Sequence, residues 1–395
     1  MLAMASEPDL LRDLDSEQQH ADNTTSDIIT RLPLEISSDI FVQCLPHPVL
    51  LRASQPPTLF LSLCRGWRAV AVATPTLWTV ISDGDTSPHV LPDILDRWLP
   101  RSGNLPLSLS IHRGAAEEKI SSHAGRVQTL INAHAHRVRS LDLVLGSTPS
   151  GWSVPGFCAL TQLTVRGRLD SGCNVFEGLA LMSAAPNLEQ CTLTRLFQYN
   201  IHPPVQDIHV TTLSSLRHLN LGRPPAGTQG ASFTTARVLS YFTLPALQTL
   251  AISFFDITIA DLRAFLLRST PPLRSLHMEV LSDGQELAEC LRLLTPALEE
   301  LNIGSLAYGE ADAFVPFLET FPLEFKDFTL QCQTLNSWHY ELVLEALILR
   351  RGCLRSFRLE AAVAERPSEE IAEGMRQLAE EGMKIHVGTR ELKYI

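Results

Sequence analysis

Leu216-Arg217-His218-Leu219-Asn220-Leu221 places leucines at the first, fourth and sixth positions of a six-residue segment. The same apolar spacing occurs nine times, with its first residue at positions 138, 160, 188, 216, 247, 273, 298, 325 and 354. Successive copies begin 22 to 31 residues apart. A repeat of this length is one supersecondary unit, which buries its apolar face only by stacking on its neighbours. The sequence therefore predicts an array of repeats over most of the chain.

Each copy is expected to combine a strand with a returning helix. The last two apolar positions flank one polar or small residue, which is the periodicity of a β-strand. Helical patterning fills the intervals, and many of these segments end in proline, which blocks continuation of a helix. We expect helices at 176–185, 235–242, 259–267, 286–294, 313–321 and 340–349. Alternating strands and helices predict an α/β solenoid with a parallel sheet on its concave face.

Two further strands extend the predicted array. Leu105, Leu107, Leu109 and Ile111 alternate along the chain after a helical segment at 91–99. At the other end, a charged helix at 369–381 and a strand at 383–387 form a terminal cap.

The residue between the last two apolar positions of each repeat points out of the core and is a candidate for contacting a target protein. These residues are Asp142, Thr164, Thr192, Asn220, Ala251, His277, Asn302, Thr329 and Arg358. We single out five of them as substrate-binding candidates: Asp142, Asn220, His277, Asn302 and Arg358. Ordinary solvent-facing strand residues give the same pattern. The row has no aromatic anchor and no single sign of charge, so it does not identify the target.

Residues 28–80 have the pattern of a small helical module. Leu32-Pro33 begins a helix whose apolar stripe is Ile36, Ile40, Phe41 and Cys44. A second helix is expected from Thr58, with Leu59, Leu63, Trp67 and Val70 on one face. Thr74-Pro75 begins a short third helix that carries Leu77 and Trp78. Residues 1–27 are polar and acidic, and we expect a disordered tail there.

The composition excludes several classes of function. The 395 residues carry a net charge of −11, which argues against a protein that binds nucleic acid or an anionic membrane. No apolar run reaches the roughly 20 residues of a membrane-spanning helix. The eight cysteines are scattered singly, so we expect free buried thiols in a reducing compartment, cytoplasmic or nuclear.

Motifs for catalysis and for cofactors are missing from the sequence. There is no nucleophile elbow, no phosphate-binding loop and no zinc helix of the His-Glu-x-x-His type. Asp83-Gly84-Asp85 could begin a calcium loop, but the later glutamate is missing, and a loop turn explains it better. We therefore expect no catalytic residues, no metal and no cofactor, and a protein that is not an enzyme.

Three pieces of the helical module resemble an F-box. Arg31-Leu32-Pro33-Leu34-Glu35-Ile36 and the following residues to Phe41 resemble its opening. Leu63-Cys64-Arg65-Gly66-Trp67-Arg68-Ala69-Val70-Ala71 looks like its second helix, and Thr74-Pro75-Thr76-Leu77-Trp78 is similar to its closing turn. With the irregular repeats that follow, the chain resembles fungal F-box proteins with C-terminal leucine-rich repeats. It departs from them in a proline-rich connection at 46–57, in Leu63 where valine is usual, and in lacking a regular asparagine in each repeat.

The resemblance implies an F-box at 28–80 and a leucine-rich-repeat solenoid with a C-terminal cap at 81–395. It further implies a substrate-recognition subunit of a Skp–cullin–F-box ubiquitin ligase, whose repeats bind an unknown protein substrate. The residues carried over as contacts of the Skp-family adaptor are Leu32, Pro33, Leu34, Ile36, Ile40, Phe41, Trp67 and Leu77. Ile36, Ile40, Leu63 and Trp67 could equally be core residues. The alternative function is an interaction scaffold that does not direct ubiquitination.

Overall fold

The computed structural model describes residues 28–84, 90–112, 121–145, 156–167, 173–197, 210–222, 235–252, 258–279, 290, 298–306, 326–389 and 393–395. The chain forms two compact units, the first from residues 1–144 and 151–160 and the second from residues 145–150 and 161–395. The predicted tail at 1–27 and the predicted helix at 313–321 lie outside the described residues, and of the predicted helix at 286–294 only Cys290 is described.

The first unit begins with short helices around an aromatic core. They are α1 (Ile28–Arg31), α2 (Leu34–Gln43), α3 (Phe60–Leu63) and α4 (Arg65–Val72), followed by a 3₁₀ turn at Pro75–Trp78. Phe41 of α2 stacks on Phe60 of α3 with 4.2 Å between ring centroids, and Trp67 of α4 lies 5.0 Å from Phe41. These three rings hold α2 against α3 and α4.

The predicted single helix from Thr58 through Val70 is wrong, because the chain is extended at Cys64, with φ at −159°. The Sγ of Cys64 accepts the N–H of Trp67 at 3.4 Å and caps α4. The Nε of Arg68 donates to the carbonyl of Leu61 at 2.8 Å and so caps the end of α3. The break takes Leu63 out of the predicted apolar stripe, and its side chain is 50 % exposed.

Trp78 links this helical segment to the next part of the chain. Its indole N–H donates to the carbonyl of Ala71 at 2.9 Å, and its ring meets Trp98 edge-on with 5.0 Å between centroids. The guanidinium of Arg101 lies 4.7 Å from the centre of the Trp78 ring. Trp98 and Arg101 belong to α5 (Leu91–Arg101). The domain boundary predicted at residue 80 therefore falls inside one compact unit.

The first unit contains a parallel sheet of β1 (Val80–Ser82), β2 (Leu107–His112) and β3 (Val138–Leu145), in that order. The helix α6 (Ser121–Ala133) lies between β2 and β3 in the chain. The register aligns Ile81, Leu109 and Leu141, which are all buried. The sequence predicts β2 and β3, but not the three-residue β1 or the weakly amphipathic α6.

A buried arginine ties α5 to the beginning of β3. Arg137 donates to the carbonyls of Leu99 at 2.8 Å and Leu105 at 3.0 Å, and to the Oγ of Ser102 at 2.8 Å. Burial lowers the pKa of this guanidinium below its usual value. Its bond to Leu99 helps to cap the last turn of α5, where the same carbonyl also accepts the hydroxyl of Ser102 at 2.6 Å.

Arg137→Met should destabilise the first unit, because it removes the three hydrogen bonds by which Arg137 joins Leu99, Ser102 and Leu105 to the start of β3. We expect the free energy of unfolding to fall by about 2–4 kcal/mol, measured by urea denaturation. Arg97→Met on the exposed side of α5 is the control, and its effect should stay within about 0.5 kcal/mol. Equal effects of the two substitutions would contradict a capping role.

In the second unit, nine of the described strands pair in parallel and in chain order. They are β4 (Gln162–Gly167), β6 (Gln190–Thr194), β9 (His218–Leu221), β11 (Thr249–Ile252), β12 (Ser275–Glu279), β13 (Glu300–Leu306), β14 (Asp327–Leu335), β15 (Ser356–Ala364) and β16 (Lys384–Thr389). Two short pairs lie outside this sheet: β5 (Cys173–Asn174) with β7 (Leu196–Phe197), and β8 (Thr211–Thr212) with β10 (Phe242–Thr243).

The sheet register aligns the same position of every repeat. Neighbouring strands place one buried apolar residue beside the next: Leu163, Cys191, Leu219, Leu250, Leu276, Leu301, Phe328, Phe357 and Ile385. All of these residues except Ile385 occupy the fourth position of the predicted apolar pattern. The pattern therefore predicts the register as well as the strands.

Seven backbone carbonyls of the second unit each fix where the next strand begins. The carbonyl of Thr161 accepts the N–H groups of Glu189 at 2.9 Å and Gln190 at 3.0 Å. Six more carbonyls accept two consecutive N–H groups in the same way: those of Glu189, Arg217, Gln248, Arg274, Glu299 and Lys326. We call this series the carbonyl ladder.

The helices of the second unit that lie within the described residues follow the predicted segments closely. They are α7 (Val175–Ser183), α8 (Thr235–Tyr241), α9 (Ile259–Ser269), α10 (Ser337–Leu349) and α11 (Glu369–Glu380). The side chains of Thr258 and Ser368 accept N–H groups at the starts of α9 and α11. Two units with parallel sheets and intervening helices confirm the predicted α/β class.

Among the described helices, none combines the length and the apolar composition needed to cross a bilayer. All eight cysteines are free thiols, as expected. The expectation that all of them are buried is wrong, because Cys44, Cys64, Cys158 and Cys353 are exposed.

Candidate functional site

The helices of the first unit expose several large apolar side chains. Leu34, Ile36 and Ile40 of α2 and Leu63 of α3 are between 36 and 50 % exposed. Pro33, just before α2, is also exposed. We call these five residues the apolar helix surface. Exposed apolar residues concentrated on a few short helices are typical of protein-binding sites.

The packing of α2 explains why these side chains face solvent. Its inner face is occupied by Ser37 and Phe41, which are both buried. Ser37 donates from its Oγ to the carbonyl of Ile29 at 2.8 Å, and the hydroxyls of Ser38 and Thr74 lie 2.8 Å apart. These bonds hold α2 to α1 and to the start of the 3₁₀ turn. Ile36 and Ile40, four residues apart, therefore share a face that the helical core does not cover.

The predicted adaptor contacts divide into three groups by burial. Pro33, Leu34, Ile36 and Ile40 are exposed, whereas Leu32 and Trp67 are partly buried. Phe41 and Leu77 have 1 % and 0 % exposure. They support the helices from within, and we correct their assignment as contact residues. The sequence could not separate Ile40 from Phe41, because the two are adjacent and both apolar.

The structure aligns the predicted target-contact residues of the second unit in one row across the sheet. The row consists of Thr164, Thr192, Asn220, Ala251, His277, Asn302, Thr329 and Arg358, and it continues to His386. We call it the sheet row. Asn220 and Arg358 are exposed, and His277 and Asn302 are partly buried. Asp142 belongs to the first unit, where it lies beside Ser110 of β2.

Charge is concentrated at one end of the sheet row. Arg358 donates to the Oε1 of Glu360 at 3.0 Å, and the Nε2 of Gln331 donates to the Oε2 of the same glutamate at 3.3 Å. Burial, together with Arg358 and Lys393, lowers the pKa of His386. The strands from β4 to β11 contribute only neutral side chains to the row. This part of the row offers hydrogen bonds to a ligand rather than a field of one sign.

A buried carboxylate lies at the end of β1, in a segment for which the sequence predicts only a loop turn. Asp83 is 3 % exposed, and its Oδ2 accepts the backbone N–H of His112 at 2.7 Å. The His112 ring has Nδ1 at 3.3 Å from the Oδ1 of Asp83 and Nε2 at 3.9 Å from the Oδ2 of Asp142. Burial raises the pKa of Asp83 to about 7. No sequence motif marks this cluster, because its members come from three separate strands.

The raised pKa predicts a specific dependence of stability on pH. Between about pH 4 and about pH 7 the folded chain holds a proton on Asp83 that the unfolded chain releases, so the free energy of unfolding falls as pH rises. Asp83→Asn should remove this loss and stabilise the chain by about 1–3 kcal/mol at about pH 8.

Urea denaturation at about pH 5 and about pH 8 measures this effect. Asp96→Asn, an exposed substitution on α5, is the control and should leave the pH dependence unchanged. If Asp83→Asn is no more stable than the parent at the higher pH, the buried carboxylate does not carry the proposed cost.

Within the described part of the chain, no group of three or more histidine, cysteine, aspartate or glutamate side chains is arranged to hold a metal ion. A comparison of the sequence with models of protein families gives no match, and a comparison with curated proteins also gives none. The candidate sites are therefore the apolar helix surface and the sheet row, on an α/β chain with parallel sheets.

Proposed function

We propose that this chain is a non-catalytic substrate-recognition subunit of a Skp–cullin–F-box ubiquitin ligase. Residues 28–80 act as the F-box and bind the Skp-family adaptor, which connects the chain to the cullin. The repeats act as a leucine-rich-repeat solenoid and bind a target protein. The single observation that carries the proposal is the exposure of the apolar helix surface within the segment that resembles an F-box.

The energetics of that surface support a protein partner. Fully burying a leucine or isoleucine side chain stabilises a complex by about 1.5–3 kcal/mol. Leu34, Ile36, Ile40 and Leu63 leave much of this free energy unused in the isolated chain, because each is at least 36 % exposed. Their helices are held by Phe41, Phe60 and Trp67, so the surface is preorganised and loses little entropy on binding.

The sheet row is proposed to contact the target. Its neutral members, such as Thr192 and Asn220, can form hydrogen bonds with a polar segment of a partner, and Arg358 adds one exposed cation. Asp142, Asn220, His277, Asn302 and Arg358 remain the proposed target contacts. The free thiols are compatible with the cytoplasm or the nucleus, where we propose that the assembly works.

Charged substitutions on α2 should prevent capture of the adaptor. The double variant Ile36→Asp and Ile40→Asp places two carboxylates where apolar contacts are proposed, and we expect at least about a tenfold loss of affinity for a Skp-family adaptor in titration calorimetry. Leu267→Asp is the matched control, because Leu267 of α9 is 57 % exposed but lies in the second unit. Unchanged affinity in the double variant, with its helices intact, would refute the proposed docking surface.

Target binding should depend on the sheet row and not on the apolar helix surface. Thr192→Arg combined with Asn220→Arg should remove target proteins from a proximity-labelling set while adaptor capture stays at the parent level. Gln377→Arg on the exposed face of α11 is the control.

Ubiquitin transfer to the labelled partners is then measured in the reconstituted ligase. Partners that bind through the row but are never ubiquitinated would favour the scaffold function.

A further inference from the structure

The outer edge of β16 is covered by the chain's own last described residues. Among the described strands of its sheet, β16 pairs with β15 alone. On its other side, Gly388 forms an antiparallel bridge with Lys393. The segment Lys393–Ile395 therefore runs back along the strand that would otherwise be an open edge. We call these three residues the edge segment.

Backbone hydrogen bonds hold the edge segment to β16. The N–H of Val387 donates to the carbonyl of Ile395 at 3.3 Å, and the N–H of Tyr394 donates to the carbonyl of Val387 at 2.8 Å. The hydroxyl of Tyr394 reaches across the end of the sheet and donates to the carbonyl of Ala364 at 3.2 Å. Both donor and acceptor of Val387 are thus occupied from the edge side.

The edge segment covers only one half of the strand. The N–H of Lys384 donates inward to the carbonyl of Arg355 at 2.9 Å, and backbone groups of successive residues alternate between the two sides of a strand. Ile385, Val387 and Thr389 therefore direct their backbone groups to the open side. For Ile385 no edge-side partner occurs within the described residues.

An uncovered strand edge is a template for pairing with another chain. One open residue, Ile385, is too short a template, and the charged Lys384 beside it opposes association. Without the edge segment, the backbone groups of Val387 would be open together with those of Ile385. The cover over Val387 therefore decides whether the open edge of β16 is long enough to pair with another strand.

We propose that the edge segment prevents self-association, and that β16 exposed by its removal binds β16 of a second copy of this chain. A two-fold antiparallel pairing centred on Val387 places Ile385 of one copy opposite Thr389 of the other. Ile385 and Val387 point into the core in each copy, so the two apolar layers would join on one face of a continuous sheet. No like charges are opposed within the strand.

Truncation after Thr389 tests the proposal in the otherwise complete chain. Light scattering coupled to size-exclusion chromatography should show that the apparent mass of the truncated chain rises about twofold with concentration relative to the full chain. Thr389→Pro in the truncated chain removes an outward N–H and should return the mass to that of the full chain. A truncated chain whose mass does not change with concentration would overturn the proposal.

A second variant keeps the test decisive if truncation unfolds the second unit, as judged by circular dichroism. Ile395→Pro in the full chain removes one N–H that the edge segment donates to Val387 and leaves the remaining residues in place. It should produce the same concentration-dependent rise in mass, to a smaller extent. A folded Ile395→Pro chain that behaves like the parent at every concentration would contradict the guarding role.

Discussion

Parallel pairing in a fixed register is the interaction on which the rest of this protein depends. A single repeat leaves its apolar strand residues uncovered, and only the next strand in register completes their burial. The carbonyl ladder sets that register, because one carbonyl binds two consecutive N–H groups of the following repeat. A shift by one residue would move every buried strand residue of the repeat to the opposite face.

The need of each strand for backbone partners also explains the contacts made by the outer strands β1 and β16. In the first unit, Leu50 bridges to Ser82 and the N–H of Leu51 donates to the Ser82 carbonyl, which adds backbone partners to β1. In the second unit, the edge segment supplies partners to β16. The outer strands therefore gain some of their backbone partners from the chain itself, whereas the apolar side chains on α2 are left exposed. This contrast between partly covered backbone edges and an exposed apolar helix face is the physical basis for proposing a docking partner.

The sequence predicts the strands because each one carries the same three apolar positions. It also predicts the sheet row, since period-two alternation places Asn220 outward between Leu219 and Leu221. It does not predict the break at Cys64, because a stripe of residues four apart looks the same whether or not the helix is interrupted. Nor does it predict the burial of Asp83, which depends on β2 supplying the N–H of His112. Contacts between distant residues leave no periodic signal in a single sequence.

We propose that the apolar helix surface is a docking site that is used while the repeats stay free for another protein. Hydrogen–deuterium exchange of the chain with and without a Skp-family adaptor shows which of the two surfaces the adaptor covers. We expect slower exchange in α2 and in α3–α4 on adding the adaptor, with exchange in β9–β15 unchanged. Unchanged exchange in α2, or protection that appears in the strands of the second unit instead, would contradict it.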